Sequence, residues 1–172
     1  MIDPGAASSF ITAYSLVLAE AYQLSDGKPS SNLLAVLASG REAIGQTPDL
    51  LQRAIASLEA RGTGIPAEFR RAISSLRLRQ WVYLKDTTKY SVFLDPERRE
   101  AYAVVGLTGP IRGILGGADV TFRAGVVDLR GRYVCDGILG SHVWLGPNYK
   151  REFRTLFATL KREAQFHVAC EP

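Results

Sequence analysis

The chain has few of the residues that hold metals, form disulfides or act as reactive thiols. Its 172 residues include two cysteines, Cys135 and Cys170, and two histidines. Two cysteines do not make a disulfide framework, and so few soft ligands leave little material for a zinc site. We therefore expect no metal, no cofactor and a reducing, cytoplasmic setting.

Long apolar runs are also missing. The most apolar segment, Ala6 to Leu24, contains Glu20 and several polar side chains, and it follows the acidic Asp3. A signal peptide begins with cations, and a membrane-spanning helix needs about 20 apolar residues. The segment is therefore predicted to be a buried helix, and we expect no membrane partner.

The sequence lacks the usual signatures of nucleotide binding and hydrolysis. Its most glycine-rich stretch, VVGLTGPIRGILGGADV at 104–120, has neither GxGxxG spacing nor the GK[ST] of a P-loop. This stretch is predicted to connect two strands, with Arg112 available to a partner. The absence of these signatures favours a binding protein over an enzyme.

The net charge of +4 is unevenly distributed along the chain. Residues 1–65 contain 4 Lys and Arg against 6 Asp and Glu, whereas residues 66–172 contain 17 against 11. Most of the latter cations are arginines, whose planar guanidinium groups bind phosphate or carboxylate in a bidentate manner. The second part of the chain therefore favours an anionic partner, and an ordinary solvated surface is the competing interpretation.

Apolar residues at helical spacing predict four helices in the first 79 residues. The second is capped by Ser30 or Ser31, and the third begins at Thr47-Pro48-Asp49, a favourable cap, first residue and first-turn acid. The first, third and fourth are predicted at 8–24, 48–61 and 66–79, and the second runs from its serine cap through Leu33 to Gly40.

From Gln80 the period of the pattern changes from helical to alternating. Aromatic and β-branched residues predict strands at 81–86, 89–95, 100–106, 119–129, 132–135 and 138–145. Short turns between strands force antiparallel neighbours, because a parallel pair needs a long crossover. Pro147 then begins a C-terminal helix whose apolar stripe needs a partner surface, and the sheet is the available one.

This order of elements predicts an α+β protein. About four N-terminal helices precede a five- to six-stranded antiparallel meander, and a C-terminal helix packs on the sheet. We divide the chain into a helical region, 1–79, and a β-meander with its C-terminal helix, 80–172. Because no linker rich in Pro, Ser or Gly separates them, the two regions are expected to pack together as one compact unit.

The order of helix, short turn, helix and hairpin between residues 48 and 95 is typical of a winged helix-turn-helix. The hairpin continues into a larger sheet, however, and a stripe of exposed arginines is commonly only a solvated surface. Nucleic acid remains the favoured anionic partner of a non-enzymatic binding protein. The residues predicted to hold it are Arg70, Arg71, Arg77, Arg79, Lys85 and Lys89.

The segment YVCDGILGSHVWLGPNY at 133–149 gathers several reactive side chains. Asp136-Gly137 between two strand-forming runs is typical of a tight hairpin turn. A thiol-dependent enzyme using Cys135 and His142 is a third interpretation, but His142 lies about 13 Å along its strand from the predicted hairpin neck. A thiol–imidazole hydrogen bond is then too long unless the strand bends.

Strand alternation places His142 and Trp144 together on the less buried face of the last strand. Together with Arg112 and Tyr149 they form a predicted partner surface, because aromatic and arginine side chains dominate interface energies. The alternative function is accordingly a protein–protein adaptor or an oligomerising module such as a homodimer.

Overall fold

The computed structural model describes residues 2–169, which contain six helices and seven strands. These residues form two compact units. One is Asp3–Ser74, and the other runs from Ser75 to the end of the described chain and includes Ile2. The division lies close to the predicted boundary at residue 79, and the packing of the two parts as one unit stays a prediction.

The first unit consists of four helices assembled on the longest of them. Asp3 caps that helix by accepting a hydrogen bond from the Ala6 backbone N–H (3.0 Å), and Pro4 occupies its first turn. The longest helix contacts each of the other three. The four are α1 (Pro4–Leu24), α2 (Leu33–Gln46), α3 (Leu50–Ala60) and α4 (Ala67–Ser74).

One carboxylate is buried within the helical unit. Glu20 of α1 is 6% exposed. It accepts hydrogen bonds from the Ser57 hydroxyl (2.6 Å) and from the Arg61 guanidinium. A buried carboxylate needs such partners to remain charged, so this contact fixes α3 against α1.

The second unit is built around a closed sheet. Its strands are β1 (Arg77–Asp86), β2 (Ser91–Asp95), β3 (Glu100–Gly106), β4 (Val120–Leu129), β5 (Arg132–Cys135), β6 (His142–Trp144) and β7 (Phe166–His167). Two helices interrupt them, α5 (Ile111–Leu115) after β3 and α6 (Pro147–Arg162) after β6.

Five strands close into a barrel in the order β1-β2-β3-β5-β4, with β4 returning to β1. Four of these five contacts are antiparallel, and β3 runs parallel to β5. The closing contact pairs residues 77–83 of β1 with residues 120–126 of β4. β1 also pairs with β2, and an irregularity between Tyr83 and Lys85 bends it there, as bulges do in closed sheets.

Aromatic side chains fill the interior of this barrel. Trp81, Tyr83, Phe93 and Phe122 are each 0% exposed, and the rings of Phe93 and Phe122 lie 5.2 Å apart, edge to face. The Trp81 indole N–H donates to the Ala124 carbonyl (3.0 Å), so its polar atom is satisfied. Because side chains occupy the interior, the surfaces for binding lie outside the barrel.

The outer face of the barrel is also buried along β1 and β2, because α6 lies on it. Phe157 and Leu160 of α6 pack with apolar side chains that point outward from three strands. These outward side chains are Val82, Leu84, Val92, Leu94 and Ala101. The continuous apolar run WVYL in β1 is thereby explained, because one alternate set faces the interior and the other faces α6.

The structure confirms the α+β class, the helices-first order and the mostly antiparallel sheet with a C-terminal helix packed on it. It adds a closed barrel and two parallel contacts, β3 with β5 and β3 with β7. Helix α4 ends at Ser74 rather than residue 79, so Arg77 and Arg79 lie on β1.

The hairpin predicted at Asp136-Gly137 is wrong. Both β5 and β6 pair antiparallel with β4, so they form one interrupted strand running in a single direction. The Asp136 carboxylate accepts a hydrogen bond from the Ile138 backbone N–H (3.1 Å). The backbone N–H of Asp136 donates to the Gly125 carbonyl (2.9 Å). Gly125 leaves room for this carboxylate, since an added Cβ would lie 2.3 Å from its Oδ2.

Substitution of Gly40 by alanine is expected to destabilise the helical unit. A Cβ at Gly40 would lie 2.0 Å from the Leu18 carbonyl oxygen, so α1 and α2 would have to separate. We expect Gly40→Ala to lower the free energy of unfolding by about 1–3 kcal/mol, the usual cost of overpacking. Urea denaturation followed by circular dichroism measures this change.

Gly64→Ala is the matched control, because no atom lies within 4 Å of its added Cβ. This variant should unfold within about 1 kcal/mol of the unchanged chain. Equal midpoints for the two variants would contradict the close approach of α1 and α2.

Candidate nucleic-acid interface

Two of the predicted nucleic-acid-binding cations lie in the helical unit. The Arg70 Nη1 of α4 is 2.7 Å from the Glu59 Oε1 of α3, and both side chains are partly exposed. Arg71 is exposed on the same helix. The ion pair with Glu59 neutralises Arg70, one of the two predicted phosphate-binding cations that lie in this unit.

Arg77 is the centre of a network at one end of the barrel. Its guanidinium donates to both carboxylate oxygens of Asp128 (2.5 and 3.2 Å). It also lies over the rings of Tyr102 and Tyr133, at 5.7 and 5.4 Å from their centroids. This side chain therefore joins β1, β3, β4 and β5.

Burial and hydrogen bonding shift the pKa values of two residues in this network. Partial burial acts to lower the pKa of Arg77, but the hydrogen bond and charge of Asp128 outweigh it, and the pKa is raised. Burial, followed by the hydrogen bond from its hydroxyl to Glu100 (2.7 Å), raises the pKa of Tyr102. The tyrosine is accordingly neutral and the arginine charged at every physiological pH.

Arg79 is likewise occupied within the protein. Its Nε lies 3.5 Å from the buried Asp95 carboxylate, which Arg98 also approaches at 4.0 Å. Arg77 and Arg79 thus face carboxylates of their own barrel. Of the predicted nucleic-acid-binding cations in the second unit, this leaves Lys85 and Lys89, both of which are exposed.

A groove lies on the outer face of β3, at the part of the strand that α6 leaves uncovered. We call it the β3 groove, and its volume is about 410 Å³. Its floor is Ala103 and Val105, and the β1–β2 turn forms one wall. The remaining lining residues are Thr88, Lys89, Tyr90, Gly131, Arg132, Val168 and Ala169.

The β3 groove places a half-buried aromatic ring beside two exposed cations. Tyr90 lines the groove while its ring packs against Phe166 at 6.0 Å between centroids. Lys89 comes from the β1–β2 turn and Arg132 from the start of β5. Among the described residues no carboxylate lies within 4 Å of either cation, so none of them neutralises Lys89 or Arg132.

Sequence reasoning found Lys89 and missed Tyr90 and Arg132. The available signal was a basic and aromatic pair, Lys89-Tyr90, in one turn and a second basic turn, Arg130-Gly131-Arg132, forty residues later. Pairing of β3 with β5 brings the two turns to one surface. A linear pattern does not contain that contact.

The predicted partner surface is only partly assembled. The rings of His142 and Trp144 lie 5.8 Å apart, edge to face, on exposed β6. Arg112 lies on α5, with its Nη1 3.9 Å from Asp86, and the ring of Tyr149 stacks on Phe153 at 6.3 Å. Val143, which alternation places on the opposite face of β6, is also exposed, at 65%.

The geometry separates Cys135 from His142. Cys135 is buried opposite Val126, and His142 is exposed opposite Phe122, four residues away on β4. At about 3.3 Å per residue the two lie about 13 Å apart, too far for a thiol–imidazole hydrogen bond. Cys170 lies outside the described residues.

No known protein family, curated protein or solved structure matches this chain. Among residues 2–169 there is no group of three or more His, Cys, Asp or Glu side chains that could hold a metal ion. The helices in that range are also too short or too polar to cross a membrane.

Removal of Arg77 is expected to destabilise the barrel unit. Arg77→Ala leaves the partly buried Asp128 without its cation and removes the contacts with two tyrosine rings. Because both charged groups are partly exposed, we expect a loss of about 1–3 kcal/mol, below that for a fully buried pair. Chemical denaturation followed by tryptophan fluorescence reports the change through the interior Trp81.

Arg98→Ala controls for the loss of an arginine that is 59% exposed and 4.0 Å from its carboxylate. Its unfolding free energy should stay within about 1 kcal/mol of the original value. A similar loss in both variants would show that Arg77 contributes only a surface charge.

Proposed function

We propose that this protein binds nucleic acid, and that a single strand lies across the outside of the barrel. The topology supports this proposal. A five-stranded barrel of order 1-2-3-5-4-1 with a helix between β3 and β4 resembles the OB-fold, whose β2–β3 face and flanking loops bind oligonucleotides or oligosaccharides. Because one fold carries many functions, the function is inferred from the chemistry of this surface.

The β3 groove is the observation that carries the proposal. Cations at its two walls, Lys89 and Arg132, can contact phosphates, and the Tyr90 ring offers a surface on which a base can stack. The apolar floor of Ala103 and Val105 gives no hydrogen-bond pattern by which to select one base. We therefore infer binding with weak sequence preference.

The position of α6 restricts the ligand. It covers the outward side chains of β2, so only the β3 half of the usual OB surface is open. A groove of about 410 Å³ accepts base-sized groups, and a base can stack on Tyr90 only when it is not paired and stacked in a duplex. The arrangement favours a single strand over a duplex.

Binding of a fluorescent single-stranded oligonucleotide tests the proposal. At about 50 mM salt we expect binding to mixed-sequence DNA or RNA, weaker binding to the same sequence as a duplex, and a steep loss by about 200 mM salt. Lys89→Ala with Arg132→Ala should reduce the slope of log K against log salt by about 1.4, or 0.7 per lost phosphate contact.

The matched control is Arg98→Ala with Arg162→Ala, which removes the same charge from exposed positions outside the β3 groove. This variant should keep the original slope. Absence of binding to single-stranded DNA and RNA at low salt would refute the proposed function, and equal slopes for the two double variants would exclude the β3 groove as the site.

A second candidate function is self-association through β6. Within the described chain this strand pairs only with β4, and its Val143 and Trp144 are 65% and 55% exposed. An unpaired strand edge with exposed apolar side chains is a surface on which a second strand can pair.

Sedimentation of the full chain across a range of concentrations tests this candidate. We expect a dimer that Trp144→Ser weakens at least tenfold in dissociation constant, because interface tryptophans commonly contribute 2 kcal/mol or more. Lys161→Ser, a change at an exposed position of α6 away from β6, serves as the control. A protein that stays monomeric at about 100 μM would remove this candidate, because a dissociation constant above that concentration is weaker than that of most specific interfaces.

A further inference from the structure

The exposed side of α6 carries a basic groove that neither the barrel topology nor the β3 groove explains. Two open depressions of about 550 and 560 Å³ run along it and share Arg154 and Ala158. We call them together the α6 groove. Its lining is Leu84, Lys85, Pro147, Lys150, Arg151, Arg154, Thr155, Phe157, Ala158 and Lys161.

Helical spacing creates this groove. Phe153, Leu156, Phe157 and Leu160 occupy the side of α6 that faces the barrel and its adjoining apolar residues. On the other side the short residues Thr155 and Ala158 lie between cations at spacings of three and four, which share a helix face. Short side chains between long cations let an extended ligand approach the helix closely.

In the part of the chain that the structure describes, the lining of the α6 groove contains five cations and no carboxylate. Asp119, which is not part of the lining, pairs with Lys150 at 3.5 Å and Arg154 at 3.0 Å. Lys85, Arg151 and Lys161 have no carboxylate within 4 Å in the described chain. Three of the five cations therefore lack a carboxylate partner among the described residues, and the other two share one.

Two of these charges converge on one ring. The ammonium groups of Lys85 and Lys161 lie 5.3 and 5.9 Å from the centroid of Phe157, which is itself 7% exposed. The ring attracts both cations and holds their ammonium groups beside one part of the groove, where both can contact a phosphate.

The ring of Phe166 lies between the α6 groove and the β3 groove and contacts a lining residue of each. It packs against Tyr90 at 6.0 Å and against Phe157 at 5.2 Å. Tyr90 lines the β3 groove and Phe157 lines the α6 groove. The two surfaces are thus neighbours on one barrel unit, and a single extended ligand can reach both.

The α6 groove suits a row of phosphates rather than bases. From Lys150 to Lys161 it extends about 17 Å at 1.5 Å per residue, enough for several consecutive phosphates. Phe157 is buried, and among the described residues no other aromatic side chain lines the groove, so none of them offers a surface for stacking.

We propose that the α6 groove binds the sugar–phosphate backbone of the single strand whose bases occupy the β3 groove. This inference rests on the proposed function and adds to it a second surface that binds phosphates. A base stacks on Tyr90 in the β3 groove, beside phosphates held by that groove's own cations. In the α6 groove Lys85, Arg151 and Lys161 contact further phosphates without reading sequence.

The salt dependence of binding distinguishes this groove from ordinary surface charge. We expect Arg151→Ala with Lys161→Ala to weaken binding of a labelled mixed-sequence single strand and to lower the slope of log K against log salt by about 1.4. The Arg98→Ala, Arg162→Ala variant removes the same charge, and its Arg162 comes from the same helix outside the groove lining. That control should keep the slope, and thermal unfolding should match for both variants.

Inorganic polyphosphate, titrated in parallel, separates the two levels of the proposal. Oligonucleotide binding with equal slopes in both double variants would overturn the α6 groove and leave the proposed function intact. Polyphosphate binding that depends on Arg151 and Lys161, without oligonucleotide binding, would retain a phosphate site and overturn the proposed function. Failure to bind either polymer at about 50 mM salt would overturn both.

Discussion

The antiparallel pairing of β1 with β4 is the constraint on which the second unit depends. It joins residues 77–83 to residues 120–126 and turns an open sheet into a barrel. Closure buries both faces of β1. Trp81 and Tyr83 lie inside the barrel, and Val82 and Leu84 lie under α6. It also removes the exposed strand edges that an open sheet of this length would leave along β1.

Closure also decides where the cations can act. At one end of the barrel, Arg77 and Arg79 face Asp128 and Asp95, so these charges stabilise the fold. On the outside, α6 takes the apolar surface of β1 and β2 and adds its own cations beside Lys85. Aromatic side chains fill the interior, and cations line the β3 groove and the α6 groove on the outside.

Local patterns predicted the elements well because they depend on neighbours in the chain. The alternation after Gln80 and the stripe of α6 follow from side-chain geometry within single strands and helices. The prediction failed where a long-range contact overrode a local preference. Asp136-Gly137 has the composition of a hairpin turn, yet β4 holds the segments on both sides of it in one direction. Arg77 likewise continues an apparent helical stripe but lies on the strand that closes the barrel.

The sequence by itself determined the α+β class, the order of helices before strands, the amphipathic α6 and the excess of positive charge after residue 65. These properties are totals over residues or short repeats along the chain, so they can be predicted without knowing which segments are in contact. Only the tertiary structure decided the closure, the parallel contact of β3 with β5, and the separation of arginines held by carboxylates from cations left in grooves. Each of those depends on residues dozens of positions apart, whose contact is set by the packing of the whole barrel.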